Sequence, residues 1–356
     1  MPKAPPRSNQ RIIALWLLLC AAMIFVMVAI GGITRLTESG LSITEWQPVS
    51  GLLPPLNAAQ WQDAFDAYRA IPQYQAIHAG MSLAQFQGIY FWEYLHRLWG
   101  RLIGVVFLLP FLYFLARGMI SRRLAPKLAL LFVLGGLQGA LGWWMVASGL
   151  EARIEVSQYR LAAHLGAAIV IYGAIIWVAL DLLHPVKIKK RLPSLRCAAT
   201  AVLVLTFVTL IAGAFVAGLR AGLIDNTFPL MDGHVVPPAW DNLSPWWRNA
   251  FENPETAQFD HRVLATLTWL AALALFVASL RHKTSLSRFA MGTIHGVFGL
   301  VTLQALLGIA ALLLVVPLPL ALAHQLGATL VLTAALLACH ALGNARETVP
   351  PRPNSR

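Results

Sequence analysis

The sequence is short of charge, and above all of negative charge. Only 12% of its 356 residues are charged, 15 of them are acidic, and 58% are hydrophobic. Soluble domains carry about a quarter charged residues, so this composition excludes an ordinary soluble protein. The mean hydropathy of +0.66 is typical instead of a chain that lies largely within a lipid bilayer.

Cysteine is nearly absent as well. Cys20, Cys197 and Cys339 are the three cysteines of the chain, and each falls within an apolar segment rather than a polar loop. Because no loop carries a pair, we predict no structural disulfide, even if one face of the protein meets an oxidising compartment.

Long apolar runs are what the sequence has in quantity. A bilayer core needs about 20 apolar residues per helix, and eight runs of this kind are present. The sequence therefore predicts an all-α polytopic membrane protein with eight transmembrane helices. The runs lie near 12–32, 97–116, 127–147, 161–182, 197–218, 262–280, 290–314 and 319–341.

The formal net charge of +12 is distributed in a way that predicts topology. Both termini and alternate connections together hold 18 of the 27 Lys and Arg residues but 2 of the 15 acids. By the positive-inside rule these segments are cytoplasmic, so both termini lie inside and connections 33–95 and 219–260 lie outside. The positive charge therefore indicates orientation rather than a nucleic-acid partner. An 11-residue leader, too short for a mitochondrial transit peptide, favours a bacterial inner membrane.

The long connection 33–95 is predicted to contain helix of its own. Asn57 is placed to cap a short amphipathic helix that ends before Pro72. The segment from Ser82 to Gln85 has the pattern of a capping box. The second long helix is therefore expected to begin at Ser82 and to carry Glu93 and His96 on one continuous helix.

The second half of the chain repeats motifs of the first. Because four predicted helices separate equivalent motifs, the two halves share one orientation. We predict two parallel-repeat four-helix bundles, 1–183 and 197–356, joined by a polar cytoplasmic linker at 184–196. The matched motifs are His96-Arg97 with His261-Arg262, Leu137–Gly142 with Leu303–Gly308, and Ala163-His164 with Ala323-His324.

Four of the ten histidines stand at matched positions, at the outer ends of the second, fourth, sixth and eighth predicted helices. Two imidazoles from facing helices suit haem iron, which takes axial histidines from opposite faces. Zinc would require four ligands, or three and a water molecule. A single membrane histidine often just bonds to another helix, but the duplicated pattern favours a haem site in each bundle. The four are His96, His164, His261 and His324.

All nine basic residues assigned to the outer side are arginines, and all six lysines are inside. A guanidinium group holds a carboxylate through two parallel hydrogen bonds, and haem propionates are carboxylates. We expect propionate binding by a subset near the histidines; salt bridges to the outer acids and interface anchoring are the alternatives. The subset is Arg35, Arg97, Arg160, Arg220 and Arg262.

Glu93 lies three residues before His96, so one helix face presents both side chains. An ionisable group this close to the bilayer is a functional candidate, and its equivalent in the second half is Gln258. The asymmetry indicates that the first half performs chemistry requiring a proton acceptor or a charge stabiliser, while the second holds the redox cofactor. The alternative is a helix-end carboxylate favoured by the helix dipole.

These motifs, together with the segment 31–43, resemble the haem A synthase family, in its bacterial and mitochondrial type without an outer-loop cysteine pair. The resemblance covers all eight predicted helices. It implies that a ring methyl of haem O, a farnesylated haem, is oxidised to a formyl group through hydroxylated intermediates, with electrons leaving through a bound haem b.

The resemblance also implies a role for each half. In the second half, His261 and His324 would hold the iron of haem b, with Arg220 and Arg262 nearby. The first half would receive haem O, with these residues around it: Glu93 as the catalytic group, His96 and His164 at the substrate iron, and Arg35, Arg97 and Arg160.

Several partners follow from this function. Haem O synthase and cytochrome oxidase assembly factors are expected partners, a homo-oligomer is possible, and the electron acceptor is not identified. Two other functions fit the residues: a di-haem b membrane cytochrome for quinol-linked electron transfer, and a haem chaperone for oxidase assembly.

Overall fold

The computed structural model describes residues 7–47, 51–151, 153–183 and 192–343. Within these ranges the regular structure is helical and contains no β-strand. The α-helices, numbered in chain order, are α1 (Arg7–Leu36), α2 (Ala58–Arg69), α3 (Pro72–Ile77), α4 (Leu83–Ala116), α5 (Ala125–Leu150), α6 (Gln158–Leu183), α7 (Pro193–Gly218), α8 (Asn249–Glu252), α9 (Pro254–Arg281), α10 (Arg288–Leu313) and α11 (Leu318–Gly343).

The prediction of an all-α protein with eight membrane-spanning helices is confirmed. Eight helices are long and apolar enough to cross a membrane: α1, α4, α5, α6, α7, α9, α10 and α11. Most extend beyond the apolar runs because helical hydrogen bonds continue into polar residues at the ends. The largest unpredicted extension is at α9, which begins at Pro254 rather than near residue 262. Asn253 caps its first turn by accepting a hydrogen bond from the backbone of Glu255, and proline is favoured at the first helical position.

The predicted caps in the first long connection are also confirmed. The Asn57 side chain accepts a hydrogen bond from the backbone of Gln60 at 2.9 Å and begins α2. Ser82 and Gln85 form a reciprocal capping box at the start of α4. Since α4 then runs unbroken to Ala116, Glu93 and His96 lie on one helix, as expected.

The four long helices of each half contact one another in the same cyclic order. In the first half the order is α1, α4, α5, α6, and in the second it is α7, α9, α10, α11. The halves meet where α7 and α11 pack on α6 and where α11 packs on α1. Most of the predicted linker, residues 184–191, lies outside the described residues, and the division into two domains stays a prediction.

The described parts of segments 37–82, 151–157 and 219–253 lie at the same end of the long helices, called here the loop-rich end. In the first half, α2 and α3 fold over α4 and α5 around a buried cluster that includes Phe65, Tyr68 and Phe86. In the second half, the Asn253 side-chain amide ties α9 to the loop by donating to the backbone oxygen of Ala239 at 2.6 Å. Both sites described below open beneath these loops. The assignment of this end to the outer side of the membrane stays a prediction.

Candidate functional site

Each of the four matched histidines lies against a glycine of a neighbouring helix. A Cβ atom placed on Gly31 would lie 3.0 Å from Cε1 of His96, and one on Gly308 would lie 2.6 Å from Cε1 of His324. A side chain at these positions would displace the imidazole, so the close approach requires glycine. The sequence shows these glycines as small helix-packing residues, and only the fold reveals that they seat the histidines. The pairs are Gly31–His96, Gly142–His164, Gly213–His261 and Gly308–His324.

In the second half the two imidazoles face each other. The ring centroids of His261 and His324 are 6.3 Å apart, with the ring planes at 84°. This separation leaves room for one metal ion at roughly 2 Å from a nitrogen of each ring, the bond length typical of histidine ligands. Among the described residues no cluster of three or more His, Cys, Asp or Glu forms a metal site, so paired histidines are the candidate ligands.

The hydrogen bond to His261 is also suited to metal binding. Nδ1 of His261 lies 3.1 Å from the backbone oxygen of Thr209. In the tautomer that donates this bond, the Nε2 lone pair is free for a metal. His324 differs, because Nε2 of Gln304 lies 3.0 Å from its Nδ1 and also donates to its backbone oxygen at 2.8 Å. If Nδ1 of His324 accepts from Gln304, Nε2 carries the proton, so iron binding through Nε2 of His324 requires the other tautomer. The ring separation of the pair fits two axial ligands of a haem iron.

In the first half the same framework recurs, but one histidine lacks the hydrogen bond that its counterpart makes. Nε2 of Gln138 lies 3.0 Å from Nδ1 of His164, as Gln304 does beside His324. Nδ1 of His96, however, is buried and has no hydrogen-bond partner among the described residues. Oε1 of Gln138 and Oε1 of Gln304 are also buried without a hydrogen-bond partner among the described residues. Since buried polar atoms are nearly always paired, a bound group or an ordered water molecule is the partner expected for them.

Glu93 is 3% exposed and joins α4 to the first loop. One carboxylate oxygen accepts hydrogen bonds from the Ser42 hydroxyl and the Ile43 backbone, both at 2.8 Å. The other accepts from Nε and Nη2 of Arg97, at 3.1 and 2.7 Å. All four contacts are donors, so the site is built for a carboxylate acceptor.

Gln258, also 3% exposed, joins helix and loop in the second half in the same way. Here, however, the side chain donates to the loop instead of accepting from it. Its Nε2 donates to the backbone oxygens of Ala221 at 2.8 Å and Asp225 at 3.4 Å. Its Oε1 accepts from Arg262 at 3.0 Å. The loop therefore presents donors to Glu93 in one half and acceptors to Gln258 in the other. This fit of each side chain to its loop is a structural reason for the asymmetry that the sequence does not reveal.

Arg97 of α4 and Arg262 of α9 stand at equivalent positions, each directly after a matched histidine, and each binds the loop above its helix. Arg97 donates to the backbone oxygens of Ile43 and Glu45, both at 2.7 Å, and lies over the ring of Trp143. Arg262 donates to the backbone oxygens of Asp225, Thr227 and Leu230. Both guanidinium groups thus order the loop above a histidine pair.

Arg35 and Arg220 lie where the two halves meet. Arg35 pairs with Glu155 at 3.2 Å and donates to the backbone oxygen of Ala217 at 2.6 Å. Arg220 pairs with both Glu38 and Glu155. Because carboxylates of the protein already occupy these guanidinium groups, the structure gives no support to propionate binding by Arg35 or Arg220, which stays a prediction.

Arg160 of α6 contacts Trp144 of α5. It donates to the backbone oxygen of Trp144 at 2.6 Å and its guanidinium lies 4.5 Å from the Trp144 ring centroid. Its position at the start of α6, four residues before His164, leaves it available to an anionic group beneath the first loop.

Asp225, in the loop segment 219–253, lies where its charged form is disfavoured. Burial raises the pKa of Asp225, and the nearby Asp232 and Glu255 raise it further. The first loop shows a related effect at Tyr68, where burial and the charges of Glu38 and Glu93 raise the pKa of the phenol. Both groups lie outside the long helices, in the loops that cover the histidine pairs.

Comparison with known proteins identifies the family. The profile of the COX15-CtaA family, described as cytochrome oxidase assembly protein, matches residues 14–336. The chain belongs to this family. Curated relatives of the family named haem A synthase include one from Parvibaculum lavamentivorans, 51% identical over 335 residues, which are 94% of this chain and 95% of the relative. Others from Nitrosospira multiformis and Rhodospirillum centenum are 50% and 54% identical, each over 94% of this chain and over 94% and 90% of the relative. The resemblance inferred from the motifs is confirmed.

Proposed function

We propose that this protein is a haem A synthase, an oxidoreductase that converts a ring methyl of haem O to a formyl group through hydroxylated intermediates. The observation that carries the proposal is the duplicated histidine pair with a carboxylate beside only one copy. Glu93 accompanies His96, whereas Gln258 accompanies His261. Relatives named haem A synthase at about 50% identity along both halves support it.

The second half is the cofactor half. His261 and His324 would hold haem b, and their ring separation of 6.3 Å fits one iron between them. When bound, this group supplies one-electron transfer. The protein contributes the tautomer of His261, fixed by the Thr209 carbonyl, and a loop held over the site by Arg262.

The first half is the substrate half, with His96 and His164 facing the iron of haem O. Oxidation at a ring methyl develops positive charge, which a fixed carboxylate nearby stabilises. Glu93 suits this role because Ser42, Ile43 and Arg97 hold both of its oxygens in place. The four donors favour charge stabilisation over a free general base. Arg160 would then meet a propionate. Propionate binding by Arg97 stays a prediction, because its guanidinium already donates to Glu93 and to the loop backbone.

The proposed function implies a cellular location and partners for the protein. It is a multi-pass protein of a bacterial plasma membrane, and we assign the loop-rich end with both haem sites to the periplasmic side. Haem O would come from a haem O synthase in the same bilayer, and the product would pass to cytochrome oxidase and its assembly factors. An electron acceptor is required.

The proposal is tested by pigment analysis of the purified protein after co-expression with a haem O-producing enzyme. We expect haem B together with haem A or its hydroxylated intermediate. Glu93→Gln should keep haem B and lose the oxidised product. Glu45→Gln is the matched control, because the Glu45 side chain contacts Gln47 in the same loop and not the histidines.

The alternative functions predict a different pigment pattern. Haem B alone, with haem O present in the membrane and unchanged, would indicate a di-haem cytochrome or a haem chaperone. A Glu93→Gln protein that yields as much haem A as the wild type would exclude the role of Glu93.

A further inference from the structure

The two bundles differ at the seam between their second and third long helices. In the second half, Trp269 of α9 donates a hydrogen bond to the Thr302 hydroxyl of α10 at 3.1 Å and packs on Phe298 with 6.1 Å between ring centroids. Val301 beside it is 4% exposed. This contact closes the seam between α9 and α10 about two helical turns from His261.

The first half has glycine at the corresponding positions. With His96 aligned on His261, the counterpart of Trp269 is Gly104. With Gln138 aligned on Gln304, the counterparts of Val301 and Thr302 are Gly135 and Gly136. A Cβ atom on any of these three glycines, or on the following Gly139, would meet nothing within 4 Å. The space that the contact between Trp269 and Thr302 fills in the second half is therefore open in the first half.

Aromatic contacts bound this opening at both ends. Towards the loop-rich end, Arg97 of α4 lies 5.7 Å from the ring centroid of Trp143 on α5. Towards the opposite end, Phe107 and Phe132 stack with their centroids 6.1 Å apart. From Arg97 to Phe107 the helix rises about 15 Å. This opening between α4 and α5, lined by Gly104, Gly135, Gly136 and Gly139, is called the glycine window.

The glycine window lies on α4 and α5, the helices that carry His96 and Gln138 of the first histidine site. Each of these two residues has a buried polar atom without a described partner, Nδ1 of His96 and Oε1 of Gln138. Beside the window the side chains of Val105, Val133 and Leu137 are exposed and apolar, as suits contact with lipid tails. A polar site on these two helices and an apolar surface beside the gap between them fit a ligand with a polar core and a long apolar substituent.

We propose that the glycine window is the lateral port of the substrate half, through which the farnesyl chain of the substrate haem projects into the bilayer and the substrate enters. The inference rests on the proposed function. A chain that stays in lipid needs no protein cavity to enclose it, only a gap in the bundle wall. The cofactor haem carries no such chain, and its half is closed by Trp269.

Small residues on membrane helices also let helices pack closely, so a second copy of this chain is the competing occupant. The two occupants predict different effects of filling the window. A port blocked by side chains would lose the substrate, whereas a blocked packing surface would change the oligomeric state and leave substrate binding intact.

The test transfers the bridge from the second half to the first. Gly104→Trp combined with Gly136→Thr places the Trp269–Thr302 pair in the glycine window. Purified protein loaded with haem b is titrated with haem O, and binding is followed by absorbance and by extraction. Because the added side chains would take the space of the farnesyl chain, affinity for haem O should fall about tenfold or more, which is about 1.4 kcal/mol or more. Val105→Trp is the matched control: it places a tryptophan at a position that is 49% exposed outside the window.

A second measurement does not depend on the folding of the filled variant. Gly136→Cys, in a Cys197→Ser background that removes the exposed native thiol, is labelled with a lipid-soluble maleimide. Haem O should protect this thiol several-fold more than haem B does. Gly299→Cys on α10, where a Cβ also meets nothing within 4 Å, is the control and should show no protection.

The outcomes separate the two proposals. Wild-type protein that binds no haem O would overturn the proposed function and this inference with it. Wild-type protein that binds haem O, with the filled variant binding equally well or position 136 unprotected, would overturn the port alone. A filled variant with an altered oligomeric state in native mass spectrometry and unchanged haem O affinity would assign the window to a second copy.

Discussion

The two halves of this protein share a helix order and a histidine pattern, yet they close their sites differently. In the second half, the imidazoles of His261 and His324 face each other and Trp269 bridges the helices beside them. In the first half, Nδ1 of His96 has no described partner and Gly104 replaces the tryptophan. A site with closed walls suits a group that stays. A site with an opening in its wall suits one that is exchanged.

The largest expected effect is a loss of bound haem b. It should follow from changing a histidine of the second half but not its counterpart in the first half. His261→Ala should remove nearly all haem b, because loss of a ligand exceeds the roughly 10- to 100-fold loss of affinity caused by changing an outer partner. The matched His96→Ala should retain haem b and lose haem O binding. Haem per protein is measured in pigment extracts. Equal loss of haem b in both variants would contradict the division of roles.

A smaller effect, on thermal stability, is expected from replacing Gln258 by glutamate or Glu93 by glutamine. Gln258→Glu would place a buried carboxylate against the backbone oxygens of Ala221 and Asp225, costing about 3 kcal/mol or more. Glu93→Gln would leave one amide hydrogen facing the Ile43 N–H, costing about 1–3 kcal/mol. Thermal unfolding in detergent compares the two. A Gln258→Glu protein as stable as the wild type would show that the loop polarity described here does not distinguish the halves.

The ion pairs between the halves should contribute less. Arg220 pairs with Glu38 and Glu155 of the first half, but its side chain is 38% exposed. Partly exposed pairs contribute up to about 1 kcal/mol and weaken with salt. Arg220→Gln should therefore lower thermal stability at low salt, with the difference from wild type shrinking at high salt. A difference that does not depend on salt would indicate that packing, rather than charge, accounts for the loss.

The smallest effect is expected in the second loop, at Asp225. Its pKa is raised in the folded protein, so the folded state binds the proton more tightly than the unfolded state. Stability should therefore fall as pH rises from the ordinary value of about 3.9 through the raised pKa. Asp225→Asn should remove this slope and gain a few tenths of a kcal/mol at neutral pH, since partial exposure limits the effect. Melting temperature between pH 4 and 7, for wild type and variant, measures it; a steeper slope in the variant would contradict the assignment.

Much of the architecture is determined by the sequence alone. Apolar runs of bilayer length predict the eight long helices, because each must satisfy its own backbone hydrogen bonds within lipid. Local caps are equally readable, as at Asn57 and Ser82, since the partner lies within one turn of the chain. The matched histidines and the substitution of Gln258 for Glu93 are visible as a repeat.

Only the tertiary structure decides which groups meet. Two of the four donors on Glu93 come from a loop some 50 residues away in the chain, and Arg35 and Arg220 are paired with acids rather than free. Gly104 and Gly136 are ordinary helix residues until the fold leaves open space beside each of them. Periodicity fixes which face of a helix is apolar, but a hydrogen bond, an ion pair or an opening between helices depends on how distant segments pack together.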